Sequence, residues 1–386
     1  MVNQPSQASW LDAADLGDTL QHISSLVATR SVSRGDGPVR ALKPSPRDVS
    51  AIRYQFDGET RTIGAFLRSS YSDGLMVLRG EEILCESYFN GLTASTPHML
   101  MSVSKALAGM LAGAVLEGAN VPSQTLVGAI VPELSSSGYG EASIQQVLDM
   151  EVNVEFRMDF TDPGSEVFLE DRAAGWRPQL AGDPGHTRAF LPTLRGVARP
   201  RPVFQYCSAT TDVLAWVLER IAHEDMRELM STRLWSRIGA ADDALYTVDS
   251  TGFPYAAAGL CATMPDIARF GRLLLDGGTW DRGPVVPIAW ISETWSGRGA
   301  FLDPSDPWTI EKVRVSPAIS YHNQWWRLGD ARGSAFVPGL LGQFLWLDPA
   351  SDVVIVKLSS VPIALDAHLD AEHIVALNSL ATALGG

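Results

Sequence analysis

The stretch MSVSKALAGMLAGAVLEG, residues 101–118, holds the one S-x-x-K of the chain. Leu107, Met110, Leu111, Ala114 and Val115 recur at spacings of three and four, which predicts a helix over 99–118. Positions three apart share a helix face, so Ser102 Oγ and Lys105 Nζ can meet. In the first turn, Ser102 sits at the positive end of the helix dipole. The apolar run after Lys105 places its amine in low dielectric, where desolvation favours the neutral base. A hydroxyl beside a neutral amine is an activated nucleophile. The same tetrapeptide also fits a plain helix start, capped by Ser102, with a solvated lysine.

Two further segments bear on the choice. Tyr206-Cys207-Ser208 lies just ahead of an amphipathic run, TTDVLAWVLERIAH, residues 210–223. From such a loop edge Tyr206 can point into a cleft, where a nearby Lys⁺ would ease its ionisation and let it relay protons. Its bland counterpart is a buried aromatic with Ser208 or Thr210 as helix cap. Gly339-Leu340-Leu341-Gly342-Gln343 precedes the strand-like FLWLD. Flanking glycines let backbone N–H groups approach a substrate closely. The N–H of Leu340, with that of Ser102, would form an oxyanion hole. The alternative is an ordinary turn into a strand.

The rest of the pattern is α/β. GLMVLRG and EEILCESYF, separated around Gly80, read as a hairpin. GQFLWLDP and 352–359 read as another, turning on Pro-Ala-Ser-Asp. Helices are expected over 142–150, 264–275 and about 367–384. Strands at both ends with helices between predict one antiparallel sheet built from the two chain ends, flanked by helices, plus an inserted mainly helical lobe. The expected division is an N-terminal arm over 1–65, wrapping irregularly, a sheet domain over 66–100 and 245–386, and a helical domain over 101–244. The site falls between the two domains. The Gly/Pro-rich 156–202 reads as a functional loop or lid.

Composition narrows the partners. A net charge of −14 and a pI near 4.9 leave no basic face for nucleic acid or an anionic membrane. No stretch reaches the ~18 apolar residues of a membrane span, and the N-terminal segment lacks a basic and an apolar signal region. A cytoplasmic location is therefore expected. Cys85, Cys207 and Cys261 show no metal-ligand spacing and read as buried thiols. The seven histidines form no H-x-x-x-H, so neither metal nor cofactor is expected. Glu166, Glu170 and Asp171 read as a solvated acidic loop beside a cleft.

The three segments, in this order, resemble the serine β-lactamase, penicillin-binding protein and esterase superfamily. Longer runs are similar to its 6-aminohexanoate-dimer hydrolase (nylon-oligomer hydrolase) family: QVLDM, DPGSEV, DRAAGW, FQYCSATTDVLAW, QWW, LWLDP and VIVKLSS, within roughly residues 70–360. The resemblance implies the β-lactamase-like fold. It also implies Ser102 as nucleophile, Lys105 as base, Tyr206 as proton relay and Leu340 N–H in the oxyanion hole. Asp171, Trp176 and Trp326 fall where that family lines its substrate cleft. Three positions depart from it. Phe160 replaces a tyrosine of the amide-cleaving members, Ala257 an asparagine of some members, and Leu341 a histidine. Phe160 cannot donate to a leaving amide nitrogen, which needs a proton more than an alkoxide does. The expectation is an esterase acting on small carboxylic esters, with amides disfavoured. An acyltransferase using the same acyl-enzyme is the alternative, and a non-catalytic binding protein the third reading. The expected partner is a small-molecule ester or amide, with no nucleic acid and no membrane; for the assembly, a homodimer is the state considered beside a monomer.

Overall fold

Eight strands make the main sheet of the computed structural model, which describes residues 6–11, 16–199, 201–281, 283–300, 302–304 and 306–385. They are β1 (Lys43–Pro44), β2 (Ser72–Arg79), β3 (Glu82–Tyr88), β4 (Ser320–His322), β5 (Trp325–Arg327), β6 (Ala335–Gly339), β7 (Gln343–Asp348) and β8 (Val353–Ser359). Their order is β4-β5-β6-β7-β8-β2-β3-β1, so the two chain ends pair through β8 and β2, as expected. Every pairing is antiparallel except that of β1 with β3. A smaller sheet joins Thr29–Val32, Ala244–Thr247, Leu260–Ala262 and His98–Met99.

The central strands are mostly apolar because both faces are covered. Successive side chains point to opposite faces. Leu75, Val77, Trp346 and Ile355 therefore pack with Ile374 and Leu377 of the C-terminal helix. Met76, Leu78, Leu345, Val354 and Val356 face Ile267 and Phe270 on the other side. The helices used below are α1 (Ser104–Ala119), α2 (Ile144–Leu148), α3 (Glu166–Ala173), α4 (Ser208–Ala222), α5 (Met264–Leu275) and α6 (Ala367–Leu384). α1 packs against α4. It is apolar almost all round, which is the signature of a buried helix.

Local capping explains the helix limits. Ser143 and Gln146 form a reciprocal capping box that starts α2. Thr263 caps α5, and Asp366 caps α6, through bonds to backbone N–H groups. α4 starts at Ser208 without a side-chain cap, so neither Ser208 nor Thr210 plays that part. The expected helix over 99–118 is broken at its front. His98–Met99 is a strand and Met101–Val103 a 3₁₀ turn before α1 begins. Met101 has φ 48°, a left-handed conformation that no α-helix continues through.

Two loop readings need correction. The arm is more than an irregular wrap: it gives a strand to each sheet, a hairpin over Arg53–Thr62 and a helix over Ile63–Ser69. Its residues 1–5 and 12–15 lie outside the described residues. The region 156–202 carries α3 and a short helix, Thr187–Phe190. Among the described residues no helix is long and apolar enough to cross a membrane. The three cysteines are buried and free, as expected.

Candidate active site

Ser102 occupies the 3₁₀ turn ahead of α1, and Lys105 the first turn of the helix proper. The three-residue spacing survives the break. Lys105 Nζ donates to Ser102 Oγ at 2.8 Å and to the Ala257 carbonyl at 2.8 Å. The solvated-lysine alternative fails, because Lys105 is 1% exposed. Burial pushes its amine down to about 8, and the carboxyls of Glu170 and Asp212 hold it from falling further. That shift corresponds to about 3 kcal/mol. Burying Leu107, Met110 and Leu111 of the same helix contributes roughly 1.5–3 kcal/mol each, so packing outweighs the cost of one desolvated lysine.

Two acids lie under this lysine. Asp212 of α4 is fully buried and accepts from the Ala257 N–H at 3.1 Å. Burial pushes its carboxyl up to about 8. Glu170 of α3 is 1% exposed and accepts from Ser208 Oγ; burial raises it well above the carboxylate range. The reading of Glu166, Glu170 and Asp171 as a solvated loop is thus corrected. They lie on a helix, and two of them face inward. Asp212 went unnoticed in the sequence. Its signal was an acid among buried positions of an otherwise apolar helix.

Tyr206 stands on the other side of the nucleophile. Its ring stacks on Trp308, with centroids 4.8 Å apart and planes 22° apart, and lies 6.3 Å from Trp326. Lys105 Nζ is 5.3 Å from the ring centroid. Burial pushes the phenol well above its usual range, and the Ser102 hydroxyl beside it pulls it partway back. The expected easing of its ionisation by Lys105 is therefore not found; Tyr206 stays an O–H donor at neutral pH.

The turn Leu340–Gly342 lies against Ser102. A Cβ on Gly339 would meet the Leu100 carbonyl at 2.8 Å and Met101 Cβ at 3.1 Å, so only glycine permits this approach. Leu340 is the first residue of its 3₁₀ turn and Ser102 the second of its own. N–H groups at those positions lie outside the turn's own hydrogen bonds. Gln343, fully buried, anchors the turn. Its Nε2 donates to the carbonyls of Leu341 at 3.2 Å and Ser359 at 2.6 Å, and its Oε1 accepts from Ser359 N–H at 3.0 Å.

Ser102 borders two cavities. One, of about 180 Å³, is mostly apolar and holds Lys105, Phe160, Asp171, Trp176, Leu340 and Leu341 of the expected residues. The other, of about 20 Å³, holds Tyr206, Trp326 and Leu340 with the Lys312–Asp370 ion pair. Trp325, one position along β5, points into the opposite core. Ala257 is the exception: it is fully buried and its part is the carbonyl that holds Lys105, while Ala258 lines the larger cavity. Among the described residues no group of His, Cys, Asp and Glu is arranged to hold a metal.

A family model described as Beta-lactamase matches residues 56–378. The chain belongs to the Beta-lactamase family. It is 41% identical, over 94% of its length and 89% of the relative's, to a 6-aminohexanoate-dimer hydrolase of Paenarthrobacter ureafaciens. A solved structure of a candidate 6-aminohexanoate-dimer hydrolase from Bacillus anthracis superimposes with a TM-score of 0.87 at 25% identity, covering 99% of this chain and 98% of that one. EstCE1, a hydrolase with promiscuous acyltransferase activity, shares the fold at a TM-score of 0.62 and 14% identity, over 84% and 98% of the two chains. As a member of this family the chain is a β-lactamase-like serine hydrolase.

Proposed function

We propose that the chain is a carboxylesterase that works through an acyl-enzyme on Ser102. The observation that carries this is the 2.8 Å contact between Ser102 Oγ and a buried Lys105 whose pKa lies near 8. Neutral Lys105 takes the Ser102 proton as Oγ bonds to the ester carbonyl carbon. The N–H groups of Ser102 and Leu340 receive the developing oxyanion. As the C–O bond breaks, Tyr206 protonates the departing alkoxide and recovers a proton from Lys105. Water then attacks the acyl-enzyme, gives its proton through the same groups, and Ser102 is regenerated.

The preference for esters rests on Phe160, which lines the cavity with Ser102 and brings no hydroxyl to an amide nitrogen. The relative named for an amide-cleaving activity makes 6-aminohexanoate oligomers the substrate to compare. The apolar lining of the larger cavity supports acyl transfer to a bound amine as the second reading. Incubation with p-nitrophenyl esters and 6-aminohexanoate dimer, followed by intact-mass measurement, tests both. An acyl adduct on wild type, absent from Ser102→Ala, is expected with the esters first. No adduct with any ester would sink the proposal; diversion of product by added amine would favour transfer.

A further inference from the structure

We propose that Arg177 is a carboxylate anchor, so that the cavity beside Ser102 takes acyl chains that end in a carboxylate. This rests on the acyl-enzyme reading above and names the substrate class of that site.

α3 ends in a turn through Gly175, whose φ of 81° reverses the chain. The reversal brings Trp176 and Arg177 back over Asp171, with both N–H groups donating to the Asp171 carbonyl oxygen. Trp176 is fixed in the wall by its indole N–H, which donates to Thr247 Oγ1 at 2.9 Å. Arg177 stacks over Phe168, its guanidinium carbon 4.5 Å from the ring centroid. The guanidinium commits only Nε, to Asp171 Oδ2 at 2.9 Å. Its two terminal nitrogens have no hydrogen-bond partner among the described residues, and Arg177 lines the cavity that holds Ser102 and Lys105.

The pattern selects for charge. Two free, coplanar N–H groups match a carboxylate in a bidentate way. The stacked, paired guanidinium is already oriented, so little entropy is lost on binding. The nearby acids compete weakly. Asp171 is engaged by Arg177, and burial pushes its carboxyl up to about 6. Burial also raises the Glu170 carboxyl well above its ordinary range. Arg172 adds positive potential, although Asp183 pairs with it. An ammonium-ended chain would have to displace Arg177 from Asp171. A neutral chain would cover the guanidinium and leave its donors unpaired. The same cavity is walled by Met158, Phe160, Val167 and Phe168, suited to methylenes. A half-ester of a short dicarboxylic acid has this form.

Three esters of matched length test it: p-nitrophenyl hexanoate, mono-p-nitrophenyl adipate and p-nitrophenyl 6-aminohexanoate. In wild type the adipate should exceed the hexanoate in kcat/KM by about tenfold or more, the scale of a charge-assisted hydrogen bond. The aminohexanoate should be the poorest. Arg177→Met should erase the adipate-to-hexanoate ratio, and Arg177→Lys, which keeps the charge and loses the fork, should reduce it partly. The wild-type panel stands even if Arg177→Met folds poorly with Asp171 unpaired. Turnover of hexanoate with no adipate advantage, or an aminohexanoate preference, overturns the inference alone. If none of the three acylates Ser102, the esterase reading fails and the inference goes with it.

Discussion

Lys105 and Lys357 are two fully buried amines in different parts of the molecule. Burial pushes both down, Lys105 to about 8 and Lys357 to about 7. By titration alone Lys357 is the stronger candidate for a base. Their surroundings differ. Lys105 faces a cavity and touches a hydroxyl on a strained turn. Lys357 points from β8 into the layer under α6, where Nζ lies 3.0 Å from His373 Nε2 and donates to Ser359 Oγ. Phe344 stacks on that histidine with centroids 4.6 Å apart. A depressed lysine pKa marks desolvation; each amine has a hydroxyl beside it, and chemistry also needs room for substrate, which the cavity at Lys105 provides.

The comparison can be broken most sharply at Lys105. Ser102→Ala should cut kcat/KM for p-nitrophenyl esters by roughly 10⁴ or more, and Lys105→Met should cost nearly as much. For wild type, kcat/KM should rise about tenfold per pH unit and level off above about 8, because only the neutral amine accepts the serine proton. A flat profile from pH 6 to 9 would remove Lys105 as the base. Gln343→Leu should lower kcat by roughly 10–100-fold with a smaller change in KM, since it releases the turn that presents Leu340 N–H. Phe160→Tyr should raise the amide-to-ester ratio by about tenfold, read on 6-aminohexanoate dimer against a p-nitrophenyl ester.

Lys357→Met should have the smallest effect on activity and leave the pH limb near 8 in place. Its signature is stability. The folded amine titrates near 7 and the unfolded one near its ordinary value of 10.5. Between those pH values the unfolded chain binds the extra proton, so wild-type stability gains up to about 1.4 kcal/mol per pH unit from this group as pH rises. Below 7 both states are protonated and the gain is absent. Urea unfolding at pH 7 and 9 should show this slope in wild type and a flatter one in the variant.

Much of this contrast was written in the chain. The S-x-x-K spacing, Tyr206 and the glycine-flanked turn are local patterns, each legible on its own, and tertiary packing brings them together around Ser102. α5 and α6 begin and end where periodicity and caps put them. The site's acids were not legible. Glu170 looked solvated because a short helix in a Gly/Pro-rich region has little periodicity. Asp212 looked like one polar position on a helix whose buried face was unknown. Ala257 was chosen for its side chain, yet its carbonyl does the holding, and no residue type announces a backbone contact.

The sequence by itself determined the two hairpins at the centre of the main sheet, and that Ser102 and Lys105 lie three residues apart. Local propensity and alternation suffice for that. Only the tertiary structure decided that Lys105 is dry and Lys357 closed off, that Tyr206 keeps its proton, and that Arg177 folds back onto Asp171. Desolvation and charge pairing are set by neighbours far away in sequence, brought together by packing the helical layers onto the sheet.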